Sequence, residues 1–181
     1  VVNYMPVVGL VKRGATVSGV KAEDRETGRQ YELHASVVIN ATGVFSDAVR
    51  RLDSNETEAI IAPSQGVHLV LDRGFQPSDT AIMVPQTDDG RVLFVIPWHG
   101  RVLVGTTDTA VDRVDIEPRP LREEIDFILR NAARYLERQP VEADILSCFA
   151  GLRPLVQEGS VRGSTKSISR EHSVVVSESG L

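Results

Sequence analysis

The sequence has few of the residues and segments that mark specialised classes of protein. Cys148 is its one cysteine, which excludes an internal disulfide and is compatible with a reducing compartment. Because Cys148 lies in an apolar run, we expect a thiol buried in the core. No apolar run approaches the ~18 to 20 residues that span a bilayer, and the first residues lack the pattern of a signal peptide.

Motifs of several common site types are also missing. The four histidines are widely separated, without the spacing of metal ligands, so we expect no metal site. The sequence contains no G-x-S-x-G, C-x-x-C or P-loop pattern. With 20 Lys and Arg against 25 Asp and Glu, the net charge is -5, which gives no support for a nucleic-acid partner. A local basic pocket for a small anion remains compatible with this balance.

The composition that is present is that of a globular protein, with 41% hydrophobic and 25% charged residues. The chain starts without Met inside a strand-like run and stops at Leu181 just after another such run. Natural domains usually begin and end in polar linkers. We therefore expect this chain to be an internal piece of a longer protein.

Alternating and continuous apolar runs predict many short strands and two helices. A helix from Pro120 to Arg138 is favoured because Leu121, Ile125 and Ile128 recur on one face, with Pro120 expected at the first helical position and Glu123 and Glu124 at the positive N-terminus. A shorter helix is predicted from Phe45 to Leu52. The predicted strands are Val7 to Lys12, Val17 to Ala22, Tyr31 to Ala35, Val37 to Ile39, Gly66 to Leu71, Ala81 to Val84, Val92 to Ile96, Val102 to Gly105, Asp144 to Phe149 and Ser173 to Ser177.

Short connections between these strands favour antiparallel pairing. The prediction is an α+β fold, a mainly antiparallel mixed sheet with helices on one face. We expect two regions, residues 1–60 and residues 61–181.

Several residues near strand ends could carry chemistry, and each has a structural alternative. Arg153 is followed by Pro154, which favours an extended backbone, so its guanidinium could grip a phosphate or carboxylate; it could equally form a surface salt bridge. Arg170, next to Glu171, has the same two interpretations. His68 could act as an acid or base, or be a structural histidine.

Two further segments have the same ambiguity. Thr107 follows a strand and could line a polar pocket or only cap a turn. The buried run Val37 to Ile39 ends in small residues at Asn40-Ala41-Thr42-Gly43, which allows a ligand to approach the backbone closely, although a simple strand and turn would look alike.

Taken in order, segments along nearly the whole chain resemble the FAD-dependent, quinone-reducing glycerol-3-phosphate dehydrogenases, and the mitochondrial-type branch in particular. Any one of these motifs is weak, but the ordered set is specific. The matching segments are Asn3-Tyr4, Val38-Ile39-Asn40-Ala41-Thr42-Gly43, Pro63-Ser64-Gln65-Gly66-Val67-His68, Phe94-Val95-Ile96-Pro97-Trp98, Gly105-Thr106-Thr107-Asp108-Thr109, Gly151-Leu152-Arg153-Pro154-Leu155, Ser167-Ile168-Ser169-Arg170 and Ser177-Glu178-Ser179-Gly180-Leu181.

The resemblance implies a flavoprotein of glycerol metabolism that oxidises sn-glycerol 3-phosphate to dihydroxyacetone phosphate and passes electrons through FAD to quinone. It implies that Arg153 holds the substrate phosphate, that Arg170 is a second pocket arginine with Thr107 nearby, and that His68 is the catalytic base. The implied FAD contacts are Ala41, Thr42, Gly43 and the backbone of Val8 or Val7. Residues 1–60 would then be part of the FAD-binding domain and residues 61–181 the substrate (cap) domain. The parent protein is expected to be cytoplasmic or peripheral on the inner membrane face.

The sequence departs from that family at two places. It has no G-x-G-x-x-G segment for the FAD pyrophosphate, and the family's lysine-bearing Gly-Gly segment, expected just after Leu181, is absent. We therefore expect the isolated chain to be inactive and to retain FAD poorly. Two alternatives remain, a related FAD-dependent amine or amino-acid oxidoreductase and a non-enzymatic module that binds a small anion.

Overall fold

The computed structural model describes residues 1–157 and 173–181. Arg170 lies outside the described residues. The chain divides into two compact units. Among the described residues, the first unit contains Val1–Ile61 with 156–157 and 173–181, and the second contains Ala62–Leu155. Residues 173–181, predicted to lie in the second region, belong here to the first unit.

The first unit is built on a three-stranded antiparallel sheet, and its three strands and short helix confirm those predictions. Gly14 and Gly28, with φ of 61° and 72°, occupy turn positions that favour glycine. The strands are β1 (Val7–Arg13), β2 (Thr16–Glu23) and β3 (Gln30–His34), and a 3-10 turn (Gly43–Phe45) leads into helix α1 (Ser46–Asp53).

Two other predicted strands, whose residues lie in this unit, are wrong. Val37 to Ile39 and Ser173 to Ser177 have no strand pairing, and Ile39 and Val174 are 81% and 92% exposed. An apolar, β-rich run forms a strand only when a neighbouring strand completes its hydrogen bonds, and no described strand pairs with either run. The end of the chain is instead held by Asp53, which accepts hydrogen bonds from the hydroxyls of Ser177 (2.9 Å) and Ser179 (2.6 Å).

The second unit is a sheet with strand order β5-β6-β7-β4-β8, and a further strand, β9, pairs with β4. The pairings from β4 through β8 are antiparallel, as predicted. His99 and Gly100, with φ of 45° and 70°, form the tight connection between β6 and β7. The elements are β4 (Ile61–Asp72), β5 (Ile82–Val84), β6 (Leu93–Trp98), β7 (Arg101–Gly105), β8 (Thr109–Ala110), β9 (Ser147–Val156), helix α2 (Arg122–Ala132) and 3-10 turns at Arg73–Phe75 and Glu142–Asp144.

One face of this sheet forms the core against α2, which confirms the predicted helix packing. Alternate residues of the strands point to this face, because successive side chains of a strand alternate between its two faces. Ile128 of α2 is completely buried here, which is worth about 1.5–3 kcal/mol of apolar burial. The core cluster comprises Val67, Leu69, Leu71, Phe75, Val84, Leu93, Val95, Val102, Val104, Ile128, Ala132 and Leu136.

Helix α2 is shorter than the predicted span from Pro120 to Arg138. It begins at Arg122 because the Glu124 carboxylate accepts the backbone N–H of Leu121 (2.9 Å) and so caps the helix there. It ends at Ala132, next to the buried Asn131, whose side-chain amide donates to the Phe127 carbonyl (2.9 Å) instead of facing solvent.

Strand β9 also differs from the prediction. It runs through Gly151 to Val156, whereas the predicted strand ends at Phe149, so Arg153 lies within the strand and not at its end. Cys148 is exposed, which corrects the expected core thiol. Leu155 is the one buried residue of β9, and near Cys148 the side chains of Leu146 and Phe149 are 54% and 44% exposed, so this part of the strand lies at the surface.

In the described part of the chain, neither α-helix has the length and apolar content needed to cross a bilayer.

Candidate functional site

The sheet face opposite the core carries His68. His68 on β4 is paired with Gly105 on β7, which in turn is paired with Phe94 on β6. The imidazole lies directly over Gly105, because a Cβ atom added at Gly105 would be 2.9 Å from Cγ and Nε2 of His68. On its other side, the ring stacks on Phe149, with ring centroids 5.4 Å apart and planes inclined by 16°. Gly105 therefore provides the room in which the half-buried imidazole sits.

A β-bulge next to His68 brings polar groups to the same place. β4 pairs His68 with Gly105 and Gln65 with Thr109, so residues 106–108 lie opposite only residues 66–67. Three residues opposite two is the geometry of a bulge, which bends the strand and turns its side chains and carbonyls. The sequence marks this segment only as a run of hydroxyls and a carboxylate after a strand.

Arg153 is held by this bulge. Its Nη1 donates to the Thr107 carbonyl and its Nη2 to the Thr106 hydroxyl, both at 3.1 Å. Nη1 is also 3.8 Å from a carboxylate oxygen of Asp108. Underneath, the guanidinium rests on Gly66, where an added Cβ would be 2.7 Å from Cζ and Nη1. The structure thus brings His68, Thr107 and Arg153 together, three residues singled out from the sequence.

Electrostatics at this site favour a neutral His68. Burial of the imidazole, and then the positive charge of Arg153, hold the pKa of His68 below its ordinary value. A neutral imidazole has one nitrogen that can accept a proton. The site therefore places a proton acceptor beside a guanidinium, an arrangement that can bind an anion and take a proton from it.

Behind the bulge lies a buried polar network that no sequence pattern indicated. Thr107 is 3% exposed; its hydroxyl accepts the N–H of Val67 and donates to Glu124, both at 2.9 Å. Glu124 also accepts the side-chain amide of Gln65 at 2.7 Å. From the sequence, Glu124 stood out only as an acidic residue at the start of a helix. Its partners on β4 and in the bulge are distant in the chain and could not be linked to it.

Asp108 completes the network on the other side of the bulge. Its carboxylate accepts a short hydrogen bond from the Ser64 hydroxyl, and both residues are buried. The side chain of Asp108 is 5% exposed, against 28% for Arg153. The acidic partner is therefore inside, while the guanidinium reaches the surface of the site.

The residues implied as FAD contacts all lie in the first unit. Val8 is the extra residue of a bulge in β1, since Val7 pairs with Ala22 and Gly9 with Lys21. Gly43 has a φ of 59° at the start of the 3-10 turn that leads into α1. The preceding turn is tied by Asn40, which accepts the Thr42 hydroxyl (2.7 Å) and donates to the Ser46 carbonyl (2.9 Å).

Known proteins of one family match this chain over nearly its whole length. Residues 1–180 match the family model of "FAD dependent oxidoreductase". The chain is 42% identical to "Glycerol-3-phosphate dehydrogenase, mitochondrial" of Bos taurus and of Homo sapiens, over 99% of this chain and 25% of each relative. The mitochondrial glycerol-3-phosphate dehydrogenase of Arabidopsis thaliana is 39% identical over the full chain and 29% of its own length. The chain thus spans about a quarter of the length of the curated relatives it matches.

Among solved structures, the glycerol-3-phosphate dehydrogenase from Bacillus halodurans, complexed with FAD, has a TM-score of 0.83 and 34% identity over 99% of this chain and 34% of that one. Glycine oxidase from Bacillus cereus has a TM-score of 0.57 at 19% identity over 83% of this chain and 38% of its own, and therefore shares the fold.

Proposed function

The chain belongs to the family of FAD dependent oxidoreductases, and from this we propose that it is part of a protein that oxidises sn-glycerol 3-phosphate to dihydroxyacetone phosphate. The observation that carries the proposal is the seating of Arg153 beside the half-buried imidazole of His68 on one sheet face. The relatives named as glycerol-3-phosphate dehydrogenases support the choice of substrate.

Arg153 is proposed to bind the phosphate group of the substrate. A guanidinium presents its donors in a fixed plane that suits two phosphate oxygens at once. Its hydrogen bonds to Thr107 and Thr106 fix that plane before substrate arrives. Less ordering is then required on binding, which favours affinity.

His68 is proposed to accept the proton of the C2 hydroxyl. Because its pKa is lowered, the imidazole is neutral and able to accept a proton at neutral pH. Removal of that proton favours loss of hydride from C2, since the alcohol becomes a carbonyl. Phe149 and Gly105 hold the ring from its two sides, so the accepting nitrogen has a fixed direction.

Thr107 is proposed to act indirectly. Its side chain is buried and its hydroxyl bonds Val67 and Glu124, while its carbonyl holds Arg153. The substrate-binding role predicted for Thr107 therefore becomes, in this proposal, that of holding the arginine that binds substrate. Arg170 keeps its predicted role as a second pocket arginine on the resemblance alone.

The first unit is proposed to supply part of an FAD site. Ala41 and Thr42 are exposed, and Gly43 adopts a positive φ that leaves its backbone open to close approach. The bulge at Val8 removes that residue from the regular pairing of β1 with β2. These residues fit a ligand held by backbone groups, and FAD, when bound, supplies the acceptor for the hydride that leaves C2.

We further propose the domain roles and the remaining partners that the resemblance implies. The first unit would be part of the FAD-binding domain and the second part of the substrate domain. Quinone would be the electron acceptor, and the parent protein would associate peripherally with the inner membrane face. The mitochondrial names of several relatives support a mitochondrial parent protein.

The test is an oxidation assay of the full-length parent protein loaded with FAD, with an artificial electron acceptor. We expect turnover of sn-glycerol 3-phosphate, and much weaker turnover of glycerol, which has the same alcohol but no phosphate. Arg153→Lys keeps the charge but loses the planar fork and should raise KM for glycerol 3-phosphate. Preferential turnover of an amino acid would support the rival amine or amino-acid oxidoreductase, and no turnover of either class would support an anion-binding module. The inactivity of the isolated chain stays a prediction, tested by titrating it with FAD.

A further inference from the structure

We propose that Glu124 is a positioning residue for the substrate-binding arginine, an inference that rests on the proposed function of Arg153. The carboxylate is 2% exposed and lies in the first turn of α2, and its two oxygens bond to two segments of the site. The inference follows from which segments these are and from what they hold.

The first segment is the strand beneath Arg153. Gln65 donates its side-chain amide to Oε2 of Glu124 at 2.7 Å and to the carbonyl of Arg119 at 3.0 Å. Gln65 directly precedes Gly66, the residue on which the guanidinium rests. Glu124 therefore fixes the position of Gln65 and Gly66, which form the floor of the Arg153 site.

The second segment is the bulge beside Arg153. The Thr107 hydroxyl donates to Oε1 of Glu124 at 2.9 Å and accepts the N–H of Val67 at 2.9 Å. The carbonyl of the same Thr107 accepts a hydrogen bond from Arg153. Through Thr107, Glu124 is therefore connected to the bulge, which forms the wall of the Arg153 site. The N–H of Val67 links this wall to the floor.

The carboxylate also anchors both segments to α2, because Oε2 accepts the backbone N–H of Leu121 at 2.9 Å. Three donors on two oxygens satisfy a buried carboxylate whose loss would leave those donors unpaired. Such a network has one arrangement, so it holds floor, wall and helix at fixed separation. Without it we expect the guanidinium to lose its defined plane.

The test uses the full-length protein and the variant Glu124→Met, which keeps nearly the same volume and removes all three acceptor contacts. Glu123→Met is the matched control, since Glu123 is exposed in the same helical turn. We expect Glu124→Met to raise KM for glycerol 3-phosphate about tenfold, the effect of losing one well-placed charged hydrogen bond, with a smaller change in kcat. In the Arg153→Lys background, Glu124→Met should add little to KM, because two changes that act through one group are not additive.

A second measurement needs no turnover. The titration of His68, followed by NMR and assigned with His68→Gln, reports the nearby charge of Arg153. If Arg153 moves away in Glu124→Met, the pKa of His68 rises, while Glu123→Met leaves it unchanged. Should the Met variant fail to fold, Glu124→Gln keeps an acceptor for Gln65 and Leu121 and should show both changes at smaller size.

The inference is overturned if either Glu124 variant lowers the melting temperature but leaves KM and the His68 titration at the values of the control. If the wild-type protein does not oxidise glycerol 3-phosphate, the proposed function fails, and the His68 titration alone still decides whether Glu124 positions Arg153.

Discussion

Replacing Gly66 with alanine separates the seating of Arg153 from the stability of the fold. A Cβ at this position would be 2.7 Å from Cζ of the guanidinium, whereas carbon atoms in contact are about 3.5–4.0 Å apart. Arg153 must therefore move by roughly 1 Å. The contact is with the end of a flexible side chain, so the sheet itself need not move.

Gly66→Ala should reduce kcat/KM much more than it changes the stability of the fold. A displaced guanidinium loses the two-oxygen contact that we propose it makes with the substrate phosphate. That contact is worth about 3 kcal/mol, so kcat/KM for glycerol 3-phosphate should fall about a hundredfold. Stability should change by no more than about 1 kcal/mol, since alanine in a strand is more favourable than glycine and offsets the lost hydrogen bonds of Arg153.

The assay measures kcat and KM for glycerol 3-phosphate and the melting temperature of the full-length protein. Gly151→Ala is the matched control, because Gly151 lies in the same strand as Arg153 and an added Cβ there meets no atom within 4 Å. If Gly66→Ala and Gly151→Ala have the same KM and kcat, Arg153 does not hold the substrate in the position described.

Two other substitutions test the neighbouring parts of the structure. Gly105→Ala should displace the imidazole of His68, because its Cγ and Nε2 would be 2.9 Å from the new Cβ. We expect kcat to fall by about a hundredfold, with a smaller change in KM. Equal kcat in variant and wild type would contradict the base role of His68. Asp47→Asn should lower the free energy of unfolding by about 1–3 kcal/mol, because Asp47 accepts the backbone N–H groups of Ile60 and Ile61. Burial tends to raise the pKa of Asp47, but hydrogen bonds from Ile61 and Arg50 outweigh burial, so the pKa is lowered. The carboxylate therefore stabilises the fold fully above its ordinary pKa, and this stabilisation is lost as the pH falls through the lowered pKa. Melting temperatures of variant and wild type should therefore differ at pH 7 and converge in acid, and an equal difference at both would contradict this account.

Most of the strands could be predicted because the alternation of apolar residues and the turn residues that mark a strand are all close together in the sequence. Alternation in β4, β6 and β7 places Val67, Leu93 and Val102 in the core, and turn residues such as Gly100 fix the hairpins. The same reasoning failed for the apolar run ending at Ile39, because strand propensity does not supply a partner strand.

Only some residues of the candidate site could be singled out from the sequence. His68 and Arg153 stood out by residue type and by the family resemblance. Their supports did not, because Gly66, Gly105 and Glu124 act through contacts with residues distant in the chain. Glu124, for example, bonds Gln65 across 59 positions. Such contacts become visible only when the sheet is assembled.

The charge of Arg153 acts on the neighbouring imidazole as well as on the groups that hold the guanidinium. Arg153 donates to the Thr107 carbonyl and the Thr106 hydroxyl at 3.1 Å, and it lies 3.8 Å from the carboxylate of Asp108. Its positive charge still lowers the pKa of His68, after the larger effect of burial. A group that offsets this charge should therefore change the pKa of His68.

Binding of an anion at Arg153 should therefore make His68 a stronger base. A phosphate dianion offsets the guanidinium charge, which favours the protonated imidazole and raises the pKa of His68 from its lowered value. The pH dependence of kcat/KM reports the free enzyme and should fall on the acid side at the lower pKa, whereas that of kcat reports the complex and should fall at a higher pH. NMR titration of His68 with and without inorganic phosphate measures the same shift directly. Arg153→Met should raise the pKa of His68 without ligand and remove most of its response to phosphate, and a pKa that stays constant or falls on phosphate binding would show that the anion does not bind at Arg153.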